Sequence, residues 1–531
     1  MKVRSALADI FRYKKFSLGN TSRVGCHFSQ IVFSAEITGM TRPSPILAVS
    51  FLLIAISNLP ACLSEFEFSD YTLTERLRET RLYHGDWPPL GLSVGDKLPN
   101  MTYINCQQVD GKPGTDYRTC QIENVCFNLN DHSLIVLKGA QPSCPLVNIT
   151  GPRNLFETVF FYEDRYTDAL TFKEDLILTI STPTILLSRS MTKNLYHNLH
   201  DNVLPMLQLV ASSKTLRHAD NRLVLAFDRG DVADGRELYN ALGTVINLRA
   251  ISSFNNSQAR KAAAVCFQQI FAGTPRKTLW FQPSYKTRLF GPETLFSPSV
   301  IGKNIQVMAQ RLKQHFGIDE PANLDLRPLY LAILHKTPLP AEFPPRFIVI
   351  FRRTRYRRLQ NESELLHQLN IEFPSVSVLI INEEEHSLVQ IIRLISSSIA
   401  LIGAHGALFG LAIFLPRGAM IFEILPFAVY TDIAGHYKTL ASLPYLRLNY
   451  RNSMSSEINS HTEAIFSALI PSYQDGGLSN KRVPVFRGMH HPFLHYRMVQ
   501  DVVANVELIV QGLKDMMLDE INRAAKNKAL F

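Results

Sequence analysis

Two short stretches set polar side chains into an apolar scaffold at spacings that could do chemistry. His197-Asn198-Leu199-His200-Asp201 puts two imidazoles and a carboxylate within five residues, and Ile399 to Leu440 carries His405-Gly406-Ala407, Glu423 and Lys438 among long apolar runs. A carboxylate or imidazole of this kind can take the proton from a reacting hydroxyl, and a glycine just before a helix lets backbone approach an anion. H-x-x-H followed by Asp also suggests a metal site, but a third ligand at the usual spacing is missing and no D-x-D occurs in the chain. Metal-bound nucleotide chemistry is therefore disfavoured. Two readings of the first cluster remain: Asp201 caps a helix that begins near Val203, or Asp201, His197 or His200 faces a cleft as a general base.

The elements that must position the second cluster follow from its apolar runs. A strand over 399–402 ends in Gly403-Ala404-His405-Gly406-Ala407, a helix over 406–415 is stopped by Pro416 and Gly418, and a strand over 419–425 carries Glu423. In open parallel sheets ligands sit at the carboxyl ends of strands, and His405 and Glu423 both lie at such ends. Glu423 stands alone in an apolar run and would be costly to bury unpaired, so an ion pair with a nearby arginine is its plainest role. Phe351 to Arg358 sets five arginines at the carboxyl end of another strand. Arginine binds phosphate bidentately and stays charged, although a solvated basic loop would look the same on spacing alone. Lys438, in His436-Tyr437-Lys438, is a weaker phosphate ligand or a surface lysine.

Around these sites the pattern alternates. A Pro-rich joint from Thr337 to Pro345 precedes strand 347–351, helix 362–369, strand 376–381, helix 386–396, the unit at 399–425 and a helix from about 436. Asn361 or Ser363 can cap the first of these helices. Before the joint, short apolar runs at Leu134 to Leu137, Thr184 to Leu187, Arg222 to Phe227 and Cys266 to Phe271 alternate with helical stretches such as Leu204 to Ser212 and Glu237 to Leu242, implying a parallel sheet covered on both faces. The last stretch, Val499 to Leu530, is helical in pattern.

At 531 residues the chain can hold two α/β domains and a leader. Its net charge is +9, but the first 44 residues carry seven basic against two acidic residues. That excess lies in front of an apolar segment, Ile46 to Leu63, which argues against nucleic-acid binding and for a membrane signal. Its 18 residues fall just short of the roughly 20 that span a bilayer, so a signal-anchor and a cleaved signal peptide both fit. The remainder is then lumenal. Cys106, Cys120, Cys126 and Cys144 crowd into 39 residues, as bridges in an oxidising compartment would; Cys266 is either a buried thiol or a partner for one of them. Sequons at Asn100, Asn148, Asn255 and Asn361 fit the same location.

Several of these motifs together, His405-Gly406-Ala407, FLPRGA at 414–419, Glu423 in E-I-L-P, YKTLA at 437–441, FIVIFRRTRYR at 347–357, NLYHNLHDNVLPML at 194–207, DGG at 475–477 and the trio Cys106, Cys120 and Cys126, resemble the family 61 glycosyltransferases from about Cys106 to Arg497. The resemblance implies a GT-B architecture, two Rossmann-like parallel-sheet domains facing a cleft. It divides the chain into a cytosolic tail (1–44), a transmembrane anchor (45–63), a stem (64–100), an acceptor-side lobe (101–335), a nucleotide-sugar lobe (346–495) and a terminal helix (496–531). It implies an inverting transfer of N-acetylglucosamine from UDP-GlcNAc to a protein-linked sugar, O-mannose in β-1,4 linkage, with no metal or other cofactor. It singles out Arg353 and Arg357 for the pyrophosphate, His405, Gly406 and Ala407 for the nucleotide phosphates or uracil, Glu423 for the ribose hydroxyls and Asp201 for the base. The implied partners are an O-mannosylated glycoprotein and the endoplasmic reticulum membrane, crossed once as a type II protein, with the Golgi as the alternative compartment. One family member carries a fibronectin-like module after its catalytic lobes, about where this chain ends. Two other readings stand: a family 61 enzyme placing xylose or N-acetylglucosamine on other glycoproteins or glycans, and a non-catalytic lumenal carbohydrate-binding protein.

Overall fold

The computed structural model describes residues 92–94, 102–108, 118–128, 134–136, 147–148, 158–159, 177–187, 189, 194–226, 235–247, 264–273, 275, 277–281, 297–319, 324–339, 343–354, 356–427, 435–455 and 500–528. Phe68–Phe531 forms one compact unit. The leader at 45–63, Cys144, the sequons at Asn100 and Asn255 and the Asp475-Gly476-Gly477 motif lie outside the described residues. Among the described residues no helix is long and apolar enough to cross a membrane.

The second half forms the sheet its sequence predicts. Five strands run all parallel in the order Ser377–Asn382, Phe347–Arg352, Ser398–Ala404, Met420–Leu425 and Asn449–Met454. Every residue of Ser398–Ala404 and Met420–Leu425 is buried, as continuous apolar runs covered on both faces must be. Helix Leu388–Ser396 begins in a capping box made by Ser387 and Gln390. Two expectations fail locally. The helix after His405 is a 3-10 helix over Ala407–Phe414, buried on all sides and more tightly wound than a regular α-helix. Asn361 stands at the N-cap of helix Glu362–Glu372 without capping it, because its side-chain amide is turned to the backbone of Ala504.

The first sheet is mixed rather than purely parallel. Thr184–Leu187, Leu223–Ala226 and Thr244–Asn247 pair in parallel, and Ala264–Ala272 runs parallel to Ile177–Ile180 and Thr184–Leu187. On its other side Ala264–Ala272 runs antiparallel to Arg118–Asn128, which also pairs antiparallel with Tyr103–Gln108 and Leu134–Val136. Two disulfides fasten these antiparallel strands, Cys106 to Cys120 and Cys126 to Cys266, so Cys266 is a bridge partner and not a thiol. The stem is shorter than expected, since Leu92–Val94 already pairs with Ile177–Ile180.

One hydrophobic core runs through the layers of both sheets. Helix Pro298–His315 packs on helix Leu204–Ser212 and on the 3-10 helix Ala407–Phe414, tying the site-bearing segments together. Helix Arg327–Leu334, placed by the sequence in the first lobe, lies with the second sheet: the Tyr330 hydroxyl donates to the Gly418 carbonyl at 2.9 Å. The terminal helix Val506–Lys528 stays there as well. It packs on helix Arg327–Leu334 and strand Asn449–Met454, with Lys514 paired to Glu372 and Arg451 to Asp515; the return to the first lobe common to terminal helices of the GT-B architecture is not seen among the described residues. Gly512 admits this packing, because a Cβ there would stand 2.5 Å from the Phe422 ring.

Gly512→Ala is therefore expected to destabilise the fold although alanine is the better helix former. Overpacking a core costs about 1–3 kcal/mol against a propensity gain of about 1 kcal/mol. A lower midpoint in denaturant melts is the expected result, and a raised one would show that the ring yields without cost.

Candidate active site

Asn194 starts the first cluster: its side chain accepts from the Tyr196 N–H at 3.0 Å and caps a helical turn, Leu195–His197. The chain then widens into a π-helical segment over Asn198–Val203 before regular helix resumes at Leu204. The extra residue in such a turn re-aims side chains and recurs at functional sites. Here it carries both imidazoles to one carboxylate, His197 Nδ1 lying 2.6 Å from Asp201 Oδ2 and His200 Nδ1 bonding Asp201 Oδ1. Asp201 is 1% exposed and caps no helix, so the capping reading is corrected. Burial alone would push its carboxyl up, but the charge and hydrogen bonds of His197 and His200 outweigh that and hold it far below the usual carboxylate range. A carboxylate so stabilised is a weak proton acceptor, and it accepts from the Nδ1–H of both histidines. His200 Nε2 is buried without a hydrogen-bond partner.

The second cluster is built on the turn after strand Ser398–Ala404. The His405 N–H donates to the Ile424 carbonyl at 2.9 Å, and His405 Nδ1 donates to Glu423 Oε1. Glu423 is fully buried, and its other oxygen accepts from the Tyr450 hydroxyl. Burial and the Glu423 charge push the Tyr450 hydroxyl above its ordinary range, keeping it a donor. The arginine ion pair expected for Glu423 is replaced by a histidine and a tyrosine, and the carboxylate stands behind His405.

The arginine run divides. Arg357 Nη1 donates to the His405 carbonyl at 2.7 Å, and Arg353 Nη1 fills the space a Gly406 Cβ would occupy, so glycine is needed at 406 for a guanidinium. The Tyr437 hydroxyl takes the Gly406 carbonyl at 2.6 Å. Arg352 and Arg358 instead pair with Glu362 and Asp501, and Arg355 lies outside the described residues. Ala407 is buried at the start of the 3-10 helix, and Lys438 sits on the exposed side of helix Gly435–Ser442.

The two clusters meet through aromatic residues that sequence reasoning did not single out. Tyr196 stacks on His200 at 4.9 Å and meets Trp280 and His436 edge-on at 5.6 and 5.5 Å. Trp280 touches His200 at 4.2 Å and donates its Nε1–H to the His436 carbonyl at 3.1 Å. His436 lies 6.4 Å from His405, ring to ring. Tyr196 fits against Gly410, where a Cβ would stand 3.4 Å from its ring. Tyr196, His436 and Tyr437 lie within stretches that carried other signals, but nothing in the sequence pointed to Trp280 or Tyr450. Among the described residues no group of three or more His, Cys, Asp or Glu could hold a metal ion.

Residues 195–422 match the family Glycosyltransferase 61, running from the first cluster to the strand that carries Glu423. The chain carries a family 61 glycosyltransferase domain. It is 27% identical over 471 residues to the human protein O-linked-mannose beta-1,4-N-acetylglucosaminyltransferase 2, covering 83% of this chain and 74% of that one. The protein of the same name from Takifugu rubripes is 27% identical, covering 76% of this chain and 69% of its own, and that from Xenopus laevis is 24% identical, covering 76% and 68%. Among solved structures, a glycosyl transferase family 9 protein from Veillonella parvula aligns at 10% identity over 64% of this chain and 97% of its own, with a TM-score of 0.23, too low to bear on the fold. The chain is a glycosyltransferase, and the non-catalytic carbohydrate-binding alternative is set aside.

The buried Glu423 yields a direct check. Tyr450→Phe leaves one carboxylate oxygen without its donor and is expected to lower unfolding stability by about 1–3 kcal/mol. Denaturant melts measure it, and an unchanged midpoint would show that the hydroxyl does not serve the carboxylate.

Proposed function

We propose that this glycosyltransferase is an inverting, metal-independent enzyme that moves N-acetylglucosamine from UDP-GlcNAc to a protein-linked O-mannose in β-1,4 linkage. In this reading the two sheets are the acceptor and donor lobes of a GT-B enzyme, anchored as a type II protein with its catalytic part in the lumen of the endoplasmic reticulum. The observation that carries it is the convergence of a carboxylate-oriented histidine pair and an arginine-braced His-Gly turn at one aromatic junction. The names of the relatives supply the transferred sugar, the acceptor and the linkage.

Arg353 and Arg357 would neutralise the diphosphate as its charge develops, giving preorganised stabilisation without a metal. His405, fixed through Nδ1 by Glu423, presents Nε2 to the nucleotide, so Glu423 orients a ligand instead of meeting the ribose itself. The acceptor hydroxyl oxygen bonds to the anomeric carbon, the bond from that carbon to the diphosphate breaks, UDP leaves with the electron pair, and the hydroxyl proton passes to His200 Nε2. Asp201 stabilises the imidazolium that results and remains ionised throughout. This moves the role of base from Asp201, which the resemblance favoured, to its histidine neighbour, with His197 as the second imidazole on the same carboxylate. The other family reading, xylose or another acceptor, keeps all of these roles and changes only the sugar.

Asp201→Asn is expected to lower kcat by ~10²–10⁴, the range for loss of general-base catalysis, while UDP affinity is retained. Steady-state kinetics and UDP calorimetry on one variant check this; a stable variant with unimpaired turnover would remove Asp201 and its histidines from the chemistry. Arg353→Ala is expected to weaken UDP binding by about 1.5–3 kcal/mol, a hydrogen bond to a charged group, with Arg352→Ala near wild type because that guanidinium serves Glu362. Equal losses in calorimetry would mean a diffuse basic patch. Turnover on an O-mannosylated peptide should survive excess EDTA with UDP-GlcNAc preferred over UDP-xylose; complete loss restored by manganese would contradict metal independence, and preference for UDP-xylose would select the alternative donor.

A further inference from the structure

The arginine loop ends in a segment fastened from outside its own sheet. Residues 500–505, just before the terminal helix, lie alongside it: Leu359 and Val502 form a parallel bridge, with the Gln360 N–H donating to the Val502 carbonyl and the Val502 N–H to the Arg358 carbonyl, both at 2.9 Å. Asp501, 7% exposed, accepts the Arg358 backbone N–H at 2.9 Å and the Arg358 guanidinium at 3.0 and 2.7 Å. Asn361 completes the clasp, its Nδ2 donating to the Ala504 carbonyl at 2.9 Å and its Oδ1 accepting the Ala504 N–H at 2.8 Å. The far side of the segment is tied to the carboxyl ends of two site-bearing strands. Gln500 Nε2 donates to the Phe427 carbonyl at 2.7 Å, and the Val503 N–H donates to Ser455 Oγ at 3.0 Å.

Arg357 makes this clasp matter. Its φ is 56°, the left-handed region that a side chain other than glycine rarely adopts and that persists only where the surroundings over-determine it. In that conformation the Arg357 guanidinium reaches the His405 carbonyl, and the next residue is the one whose N–H Asp501 takes. Without that acceptor the loop can relax to an ordinary backbone angle, which swings the guanidinium off the turn.

We propose that Asp501 is a positioning residue for donor binding: by holding Arg358 it keeps Arg357 in a left-handed conformation and its guanidinium on the His405 turn, a role that rests on the donor-site reading above. The Asn361 amide nitrogen donates to Glu364 as well as to Ala504.

The test compares Asp501→Ala with Glu372→Gln in the full chain, by UDP calorimetry, donor kinetics and melting curves. Glu372→Gln breaks the Lys514 pairing of the same terminal helix without touching the loop. Asp501→Ala is expected to raise the Kd for UDP and the KM for the donor about tenfold, the scale of one charge-assisted hydrogen bond, with kcat within about twofold of wild type; Glu372→Gln should leave both constants unchanged. If Asp501→Ala does not fold, Asp501→Asn, which retains an acceptor for the Arg358 N–H and loses the charge, should show a smaller rise in the same direction. Wild-type affinity in the aspartate variants overturns the clasp, as does an equal loss in Glu372→Gln, which would make the effect one of general stability. Failure of the wild-type chain itself to bind UDP overturns the donor-site reading and the clasp with it.

Discussion

A carboxylate taken out of water must be met by donors or give up its charge, and both halves of this site are arranged around that requirement. Asp201 and Glu423 are almost completely buried, and each is met by imidazole Nδ1 atoms. An ionised carboxylate only accepts, so each Nδ1 must carry the hydrogen, and each Nε2 is turned to whatever lies on the other side. One burial cost thus fixes the tautomer and the aim of three histidines. The two clusters differ in their partners: Asp201 holds two imidazoles, and Glu423 holds one, with Tyr450 filling the remaining oxygen.

Glu423 sits in a regular parallel strand, but other parts of the site depart from regular structure. Asp201 and His200 lie in the π-helical segment 198–203, and His197, just before it, reaches the same carboxylate. An ordinary side chain at 406 would collide with Arg353. The left-handed Arg357 lets one guanidinium reach the turn from a loop whose neighbouring arginines are committed to Glu362 and Asp501. Such departures persist where surrounding bonds over-determine them; helices Leu195–His197 and Pro298–His315 both pack on the 3-10 helix Ala407–Phe414 next to the π-helical segment.

The second sheet was legible because doubly covered parallel strands leave continuous apolar runs, and those at 347–352, 398–404 and 420–425 have no competing period. The first sheet was not, because its antiparallel additions are held by disulfides whose pairing no spacing reveals: Cys126 reaches Cys266 across 140 residues. Within the site, residue types were readable and partners were not. Glu423 announced itself as a lone acid in an apolar strand, yet its partners come from 18 and 27 residues away in sequence. The π-helical segment left no mark, since the apolar residues around 199–207 suit an ordinary helix equally well. The distinction between Arg352 and Arg353 depends on which side of the strand end each faces, a matter of one residue that composition does not record.

The central claim is that nucleotide is held on the His405 turn by Arg353 and Arg357, next to the Asp201 histidines. A crystal structure with UDP tests it most directly. The account predicts the diphosphate between those two guanidinium groups, with His405 Nε2 on the nucleotide and the histidines of Asp201 bordering the space beyond the terminal phosphate. Diphosphate bound away from this turn, with Arg353 and Arg357 unmoved and untouched, would contradict it.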